Sequence, residues 1–256
     1  MSRAPRRYYR TFKIRKGSKL REIQAPRVAL KLIQSWFGTH VARSITLPRC
    51  VCGFVPNMDG ILRAAKEHCG ADWVYSLDLR NFFGSVNLMM VVCALESIGY
   101  SRQAATFMSR LLTFDGFLPQ GSPASPVLSN VAFSSTDGIL AEIAMRESIR
   151  YTRYADDLVF SGVGDVPKSL AENVKMALVQ KGWKIADEKE HLAKRPARLK
   201  VHGLLVHGSS PRLTKGYRNR IRAYRHLAKH DKIRKGDLRV IQGHMAYARH
   251  IESSET

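Results

Sequence analysis

Apolar and polar residues alternate in two registers along this chain, and the switches between registers mark its elements. Near the N-terminus, Thr11-Phe-Lys-Ile and Leu20-Arg-Glu-Ile alternate with period two around Gly17-Ser18, which predicts a short basic hairpin over 11–24. Val28, Leu30, Leu32, Ile33 and Phe37 then recur at helical spacing, with Pro26 as opener and Gly38 as stop. A second helix is predicted over 58–68. Residues 71–79 read as a buried strand, because Trp73, Val74, Tyr75 and Leu77 crowd it with β-favouring side chains. Helices follow over 86–95 and 102–112. The prolines and glycine of Leu118-Pro-Gln-Gly-Ser-Pro-Ala-Ser-Pro forbid regular structure at the start of the next stretch, and a helix over 127–145 comes after them.

Two short β-rich runs, 149–154 and 158–161, flank Ala155, Asp156 and Asp157, a pattern that predicts a tight hairpin with carboxylates at its tip. An amphipathic helix over 168–181, closed by Gly182, precedes a strand over 200–207. From Thr214 onward the pattern is of basic helices broken near Gly236. This order predicts an α+β fold: a small antiparallel sheet with helices on one face, and basic helical segments at both ends.

The 256 residues suffice for one large domain or two small ones, and the apolar share of 45% is that of a globular protein. The charge changes the picture. Forty-two Lys and Arg stand against 21 Asp and Glu, a formal charge of +21, which opposes compaction unless a polyanion neutralises it. Residues 1–27 hold ten basic residues and one acid; residues 211–240 hold eleven and two. Two basic ends about a near-neutral centre fit nucleic acid gripped from both sides. An anionic membrane is the weaker alternative: no stretch of about 18 apolar residues exists, and the basic segment 1–10 has no apolar core behind it, so it does not read as a secretory signal. Cys50, Cys52, Cys69 and Cys93 match no common zinc spacing, even with His68 beside Cys69, and are expected as reduced thiols of a cytoplasmic protein.

Three acids sit where acids are costly. Asp78 ends the apolar run Val74-Tyr-Ser-Leu-Asp-Leu, and Asp156 and Asp157 are adjacent between apolar strands. Like charges so close destabilise a fold unless cations pair with them. Hard divalent ions do this, and two of them can activate a 3′-hydroxyl and stabilise a leaving pyrophosphate. Asp-Asp alone more often marks only a turn; the surrounding residues decide.

Tyr154-Ala-Asp-Asp157, preceded by Arg150-Tyr-Thr-Arg, resembles the catalytic hairpin of reverse transcriptases. Leu118-Pro-Gln-Gly-Ser-Pro-Ala-Ser-Pro-Val-Leu-Ser-Asn130 resembles the loop and helix beneath the incoming nucleotide, and Ser76-Leu-Asp-Leu-Arg-Asn-Phe-Phe-Gly-Ser-Val86 resembles the strand bearing the first metal ligand. All three occur in the family's order. Tyr9-Arg-Thr-Phe-Lys-Ile-Arg-Lys, Leu30-Lys-Leu-Ile-Gln-Ser-Trp36 and Val201-His-Gly-Leu-Leu-Val206 extend the likeness to the bacterial retron type, over about residues 8 to 225.

The resemblance implies a right-hand polymerase fold: fingers over 1–70, a palm over 71–207 with inserted fingers helices at about 86–118, and a short basic thumb over 208–256. It implies two Mg²⁺ ions, with Mn²⁺ as a possible substitute, held by Asp78, Asp156 and the Leu79 carbonyl and supported by Asp157. Phe83 would pack under the sugar and exclude a 2′-hydroxyl, while Phe82 belongs to the core. Gln120 and Gly121 would line the nucleotide pocket, glycine allowing close backbone approach. Lys16 and Arg21 would hold the triphosphate of a deoxynucleoside triphosphate, and Lys189 would protonate the leaving pyrophosphate. Arg218, Arg220, Arg222 and Arg225 would track an RNA–DNA hybrid, with 218, 222 and 225 on one helix face. The implied partners are a structured non-coding RNA, serving as template and 2′-hydroxyl primer, and a separately encoded effector protein in phage defence; a group II intron-like enzyme or an RNA-holding scaffold without synthesis are the alternatives.

Two retron signatures differ here. Asn-Ala-x-x-His becomes Ala64-Ala-Lys-Glu-His68, and Val-Thr-Gly becomes Val201-His-Gly203. Both departures are expected to bear on partner recognition rather than on phosphoryl transfer. The residues after about 230 are few for a full thumb, which predicts a reduced grip on the duplex.

Overall fold

The computed structural model of the chain describes residues 5–17, 19–234 and 236–254. Strands β1 (Tyr9–Lys16) and β2 (Lys19–Pro26) form an antiparallel hairpin with Tyr9 opposite Pro26; Ser18, in the expected turn, lies outside the described residues. Pro26 ends β2 instead of opening a helix, a place at a strand terminus where its missing N–H costs little. Helix α1 (Val28–Ser44) runs straight through Gly38, contrary to the expected stop. A Cβ on Gly38 would lie 2.9 Å from the Pro123 carbonyl oxygen, so the glycine serves the close approach of α1 to the 118–126 loop. That approach offsets the roughly 1 kcal/mol that glycine costs a helix interior.

Helix α2 (Gly60–Glu67) leads into the central sheet, whose strands are β3 (Trp73–Asp78), β4 (Arg150–Tyr154), β5 (Asp157–Gly162) and β6 (His191–Lys194). Their order is β4-β5-β3-β6, every neighbour antiparallel. The pattern reading predicts no strand at β6. His191, Leu192 and Lys194 are exposed there, and an edge strand open to water needs no apolar alternation.

Strand periodicity divides the core. Trp73, Tyr75, Leu77, Leu158 and Phe160 point to one face, where α3 (Phe82–Ser85), α4 (Leu88–Ser97), α5 (Arg102–Leu112), α6 (Ser125–Arg146) and α7 (Leu170–Gln180) supply the packing partners. The other face is covered as well. Val74 and Val159 pack with Leu62, Ala64 and Ala65 of α2 and with Ile221, Ala248 and Ile251 of α8 (Lys215–Lys229) and α9 (Leu238–Ser253). The strand expected over 200–207 is broken into β7 (Lys200–Val201) and β8 (Leu204–Leu205), because His202 and Gly203 both adopt positive φ; β9 (Arg212–Leu213) completes this small sheet. No helix among the described residues is long and apolar enough to cross a membrane.

Two buried polar clusters fix the β4–β5 hairpin. Arg153 and Asp137 of α6 are both fully buried and form a two-bonded ion pair, Nε to Oδ1 at 2.8 Å and Nη2 to Oδ2 at 2.6 Å. Arg153 also donates to Asn130 Oδ1 and the Ala155 carbonyl, and Tyr151 donates its hydroxyl to Asp137, so the desolvated charges are saturated with partners. On the opposite face, buried His68 at the end of α2 bridges Ser161 and Thr152 hydroxyls, each at 2.7 Å. Burial first, then the charges of His202 and Arg150, pushes its imidazole down to about 3.

Removing one member of the Arg153–Asp137 pair strands a buried charge. Asp137→Leu and Arg153→Met are each expected to cost about 3–5 kcal/mol in urea unfolding, and the double variant clearly less than their sum. His68 binds a proton in the unfolded chain near pH 6.5 but in the fold only near 3, so its contribution is full above about 6.5 and is lost as pH falls toward 3. His68→Gln should flatten that loss by up to about 1.4 kcal/mol per pH unit relative to wild type, measured as unfolding free energy against pH.

Candidate active site

The antiparallel register of β3 and β5 sets Asp78 directly opposite Asp157. Directly opposed residues project from the same face of a sheet, so these two carboxylates emerge side by side at one sheet end. Asp156 lies between them in the chain path, at the two-residue turn joining Tyr154 to Asp157. Ala155 takes positive φ there, 56°, a conformation held by close packing: a Cβ on Gly53 would lie 2.6 Å from the Ala155 nitrogen. Segment 50–53 itself lies along β4, with Cys52 N donating to Arg153 O and Arg153 N to Cys50 O, both at 2.8 Å. The β4–β5 hairpin is thus clamped by β3, by 50–53 and from behind by α6.

The electrostatics follow from this proximity. The Asp156 carboxyl is held above the ordinary aspartate range, first by burial, then by the charge of Asp78; its own backbone N–H and Lys189 pull it back, and Asp157 pushes it up again. Lys189 donates Nζ to Asp78 Oδ1 at 2.5 Å, and His202 places Nδ1 3.0 Å from Asp157 Oδ2. The Leu79 nitrogen donates to Asp156 O, tying the two carboxylate-bearing segments by backbone, while the flanking bonds run from Ala186 N to Asp78 O and from Arg80 N to Lys184 O and so do not use the Leu79 carbonyl.

Asp78, Leu79, Asp156, Asp157 and Lys189 line a cavity of about 750 Å³ together with Arg21, Arg80, Asn81, Phe83, Gln120 and Phe54. Phe82 and Phe83 both line the cavity, Phe82 buried against Phe133 and Trp183 and Phe83 half-buried. Of the residues singled out from sequence, Asp78, Leu79, Asp156, Asp157, Phe83, Gln120, Arg21 and Lys189 meet here. Gly121 is not among the lining residues. Its φ is +133°, and a Cβ would lie 2.9 Å from Ile23 Cγ2 and 3.0 Å from the Gln24 carbonyl, so its missing side chain admits β2 of the hairpin rather than a ligand. Gln24 completes that junction by accepting from the Gln120 nitrogen at 3.0 Å and donating its own backbone N–H to Gln120 O. Lys16 ends β1, and its side chain lies outside the described residues. Arg218, Arg220, Arg222 and Arg225 are exposed on α8, away from the lining; Arg225 pairs with Glu252 of α9 and Arg222 bonds Asn219.

Phe54, like Ala186 and Glu188, lines the cavity without belonging to any of the motifs. It stands at positive φ, 60°, with ring centroids 6.1 Å from Phe83 and 6.2 Å from Tyr154. Its only sequence signal is a solitary aromatic in Cys52-Gly-Phe-Val-Pro, which carries no periodicity. The donor set suits a hard cation: Asp78, Asp156 and the Leu79 carbonyl offer oxygens alone, with repulsion that a cation relieves.

Comparison with known proteins shows the family. Residues 14–206 match the family described as reverse transcriptase (RNA-dependent DNA polymerase). The chain is 28% identical over 202 residues to the retron Ec86 reverse transcriptase of Escherichia coli, covering 77% of this chain and 63% of that protein. It is 32% identical over 224 residues to the retron Mx162 reverse transcriptase of Myxococcus xanthus, covering 76% and 46%. The chain therefore spans less than two thirds of the length of these relatives. Among solved structures, the apo telomerase of Candida tropicalis truncated from its C-terminal domain shares the fold, with a TM-score of 0.57 and 11% identity over 80% of this chain and 55% of that one. With the matched segment spanning the hairpin, the β3 aspartate and the cavity loop alike, the chain belongs to the reverse transcriptase (RNA-dependent DNA polymerase) family.

Proposed function

We propose that the protein is an RNA-directed DNA polymerase that copies a structured non-coding RNA, uses a 2′-hydroxyl of that RNA as primer, and leaves a single-stranded DNA joined to it. The observation that carries this reading is the meeting of Asp78 and Asp156, from segments far apart in the chain, at the mouth of a cavity that Arg21, Phe83, Gln120 and Lys189 also line. Reverse transcriptases depend on divalent metal, and here Asp78, Asp156 and the Leu79 carbonyl would hold two Mg²⁺ ions, Mn²⁺ substituting, with Asp157 in support. Bound there, the ions would supply a lower pKa for the attacking hydroxyl and charge neutralisation for the leaving pyrophosphate.

The chain's own side chains have separable tasks in this reading. Arg21 binds triphosphate oxygens with a planar fork. Gln120 shapes the pocket from a loop locked to β2 by Gln24. Phe83 presents its ring where the sugar would lie and excludes a 2′-hydroxyl by contact. Lys189, released from Asp78 as the site fills, carries the proton needed by pyrophosphate. The arginines of α8 and the basic N-terminal hairpin hold the RNA–DNA hybrid by phosphate contacts, which predicts strong salt dependence. The similarity to retron enzymes supports a place in phage defence beside a separately encoded effector.

Purified protein with its co-purifying RNA should incorporate labelled deoxynucleotides, and Asp156→Ala should reduce incorporation to background while still retaining RNA. Equal silence of wild type and variant, with native RNA bound, would instead favour an RNA-holding scaffold. Phe83→Ala should relax discrimination against ribonucleotides by roughly 10–200-fold in relative kcat/KM, the 1–3 kcal/mol that one steric contact in a pocket is worth. Unchanged discrimination would remove Phe83 from the sugar site.

A further inference from the structure

The turn between β7 and β8 delivers to the carboxylate hairpin a side chain that no motif assigns to it. Val201-His202-Gly203-Leu204 is a two-residue hairpin turn, with φ of 47° at His202 and 86° at Gly203. Positive φ at both central residues is the geometry that favours Asn-Gly or Gly-Gly. Histidine enters the left-handed region more readily than most residues but still bears the Cβ penalty, so the turn by itself gives no reason for it.

The reason lies across the gap. His202 Nδ1 is 3.0 Å from Asp157 Oδ2, and the His202 side chain is only 7% exposed against 40% for Asp157. Its ring stands 5.3 Å from that of Tyr154, the cross-strand partner of Asp157. Nε2 is buried and has no hydrogen-bond partner among the described residues. A hydrogen on Nε2 would be stranded there, so the neutral tautomer that fits carries its hydrogen on Nδ1 and donates it to the carboxylate. The residue that stands in place of threonine in the Val-Thr-Gly signature thus lies against the carboxylate hairpin.

We propose that His202 is a positioning residue for Asp157: its Nδ1–H holds one carboxylate oxygen toward the β7–β8 turn, leaving Asp78 and Asp156 to face the cavity as the cation-binding pair. This rests on the polymerase reading of the site. Three carboxylates crowd one sheet end, and an unrestrained Asp157 would be free to swing among several orientations. The hydrogen bond selects one. It also links the hairpin to β7–β9, from which the chain passes directly through Thr214 into α8, so the basic helix and the carboxylates share a rigid base.

Two substitutions that both suit the turn isolate the hydrogen bond. His202→Asn creates the favoured Asn-Gly pair and retains an amide donor near the place of Nδ1; His202→Gly eases the turn equally and has none. Both lack the ring, so packing against Tyr154 is lost in each. In the full chain freed of nucleic acid, Mn²⁺ binding is read by electron paramagnetic resonance, with Asp156→Ala defining the other sites. With RNA restored, kcat and KM for deoxynucleotide are measured.

His202→Gly is expected to weaken Mn²⁺ binding or lower kcat by about 10–100-fold, the usual effect of losing a partner of a metal-site carboxylate, with KM for nucleotide little changed. His202→Asn is expected to stay near wild type. If His202→Gly matches wild type in both readouts, or if His202→Asn is as impaired as His202→Gly, the positioning role is overturned. If wild type is silent in polymerisation while His202→Gly still loses Mn²⁺ affinity relative to His202→Asn, the polymerase reading fails and the positioning role stands.

Discussion

The register of β3 against β5, which places Asp78 opposite Asp157, is the constraint on which the rest of the site hangs. A slip of one residue would turn Asp78 toward the face that holds Trp73, Tyr75 and Leu77, and bury an unpaired charge in the apolar core. The alternation of large side chains therefore does more than fill space. By committing Leu77 and Leu158 to one face, it commits Asp78 and Asp157 to the other. Arg153 of β4 extends the same control to the turn, since the guanidinium that pairs with Asp137 also donates to the Ala155 carbonyl.

Carboxylates gathered in this way repel one another, and the surroundings show how that repulsion is borne. Lys189 sits on Asp78 and His202 on Asp157, while burial and the charge of Asp78 raise the affinity of Asp156 for a proton. Each acid thus meets a different counterpart, which leaves the pair nearest the cavity with an incentive to take up a cation when phosphates arrive with one. The excess positive charge of the chain acts at longer range. It lies mainly in the N-terminal hairpin and in α8, on either side of the central sheet in sequence, where it can gather a polyanion without neutralising the acids themselves.

Much of the fold is legible in the sequence where one face of an element is apolar. Helix α5 begins and ends at the residues its periodicity indicates, and the carboxylate hairpin is placed to within a residue. The misreadings share a cause: residues whose reason lies in another segment. Gly38 looks like a helix stop until Pro123 stands beside it, Gly121 looks like a ligand contact until β2 crosses it, and β6 has no pattern because its pairing with β3 alone makes it a strand. Phe54 and Gln24 are silent for the same reason, and His202 shows in sequence only as a departure from a signature. The motifs of the site were readable because each is local; the contacts that orient them are not.

The central claim is that Asp78 and Asp156 jointly bind divalent metal beside a nucleotide. Crystals of the protein with an RNA–DNA hybrid and a non-hydrolysable deoxynucleotide, prepared in Mn²⁺, permit the direct measurement by anomalous scattering. Manganese peaks are expected within coordination distance of both carboxylates, with oxygens of the triphosphate completing the shell. A nucleotide bound in the cavity with no manganese between Asp78 and Asp156, and Lys189 still paired to Asp78, would contradict it.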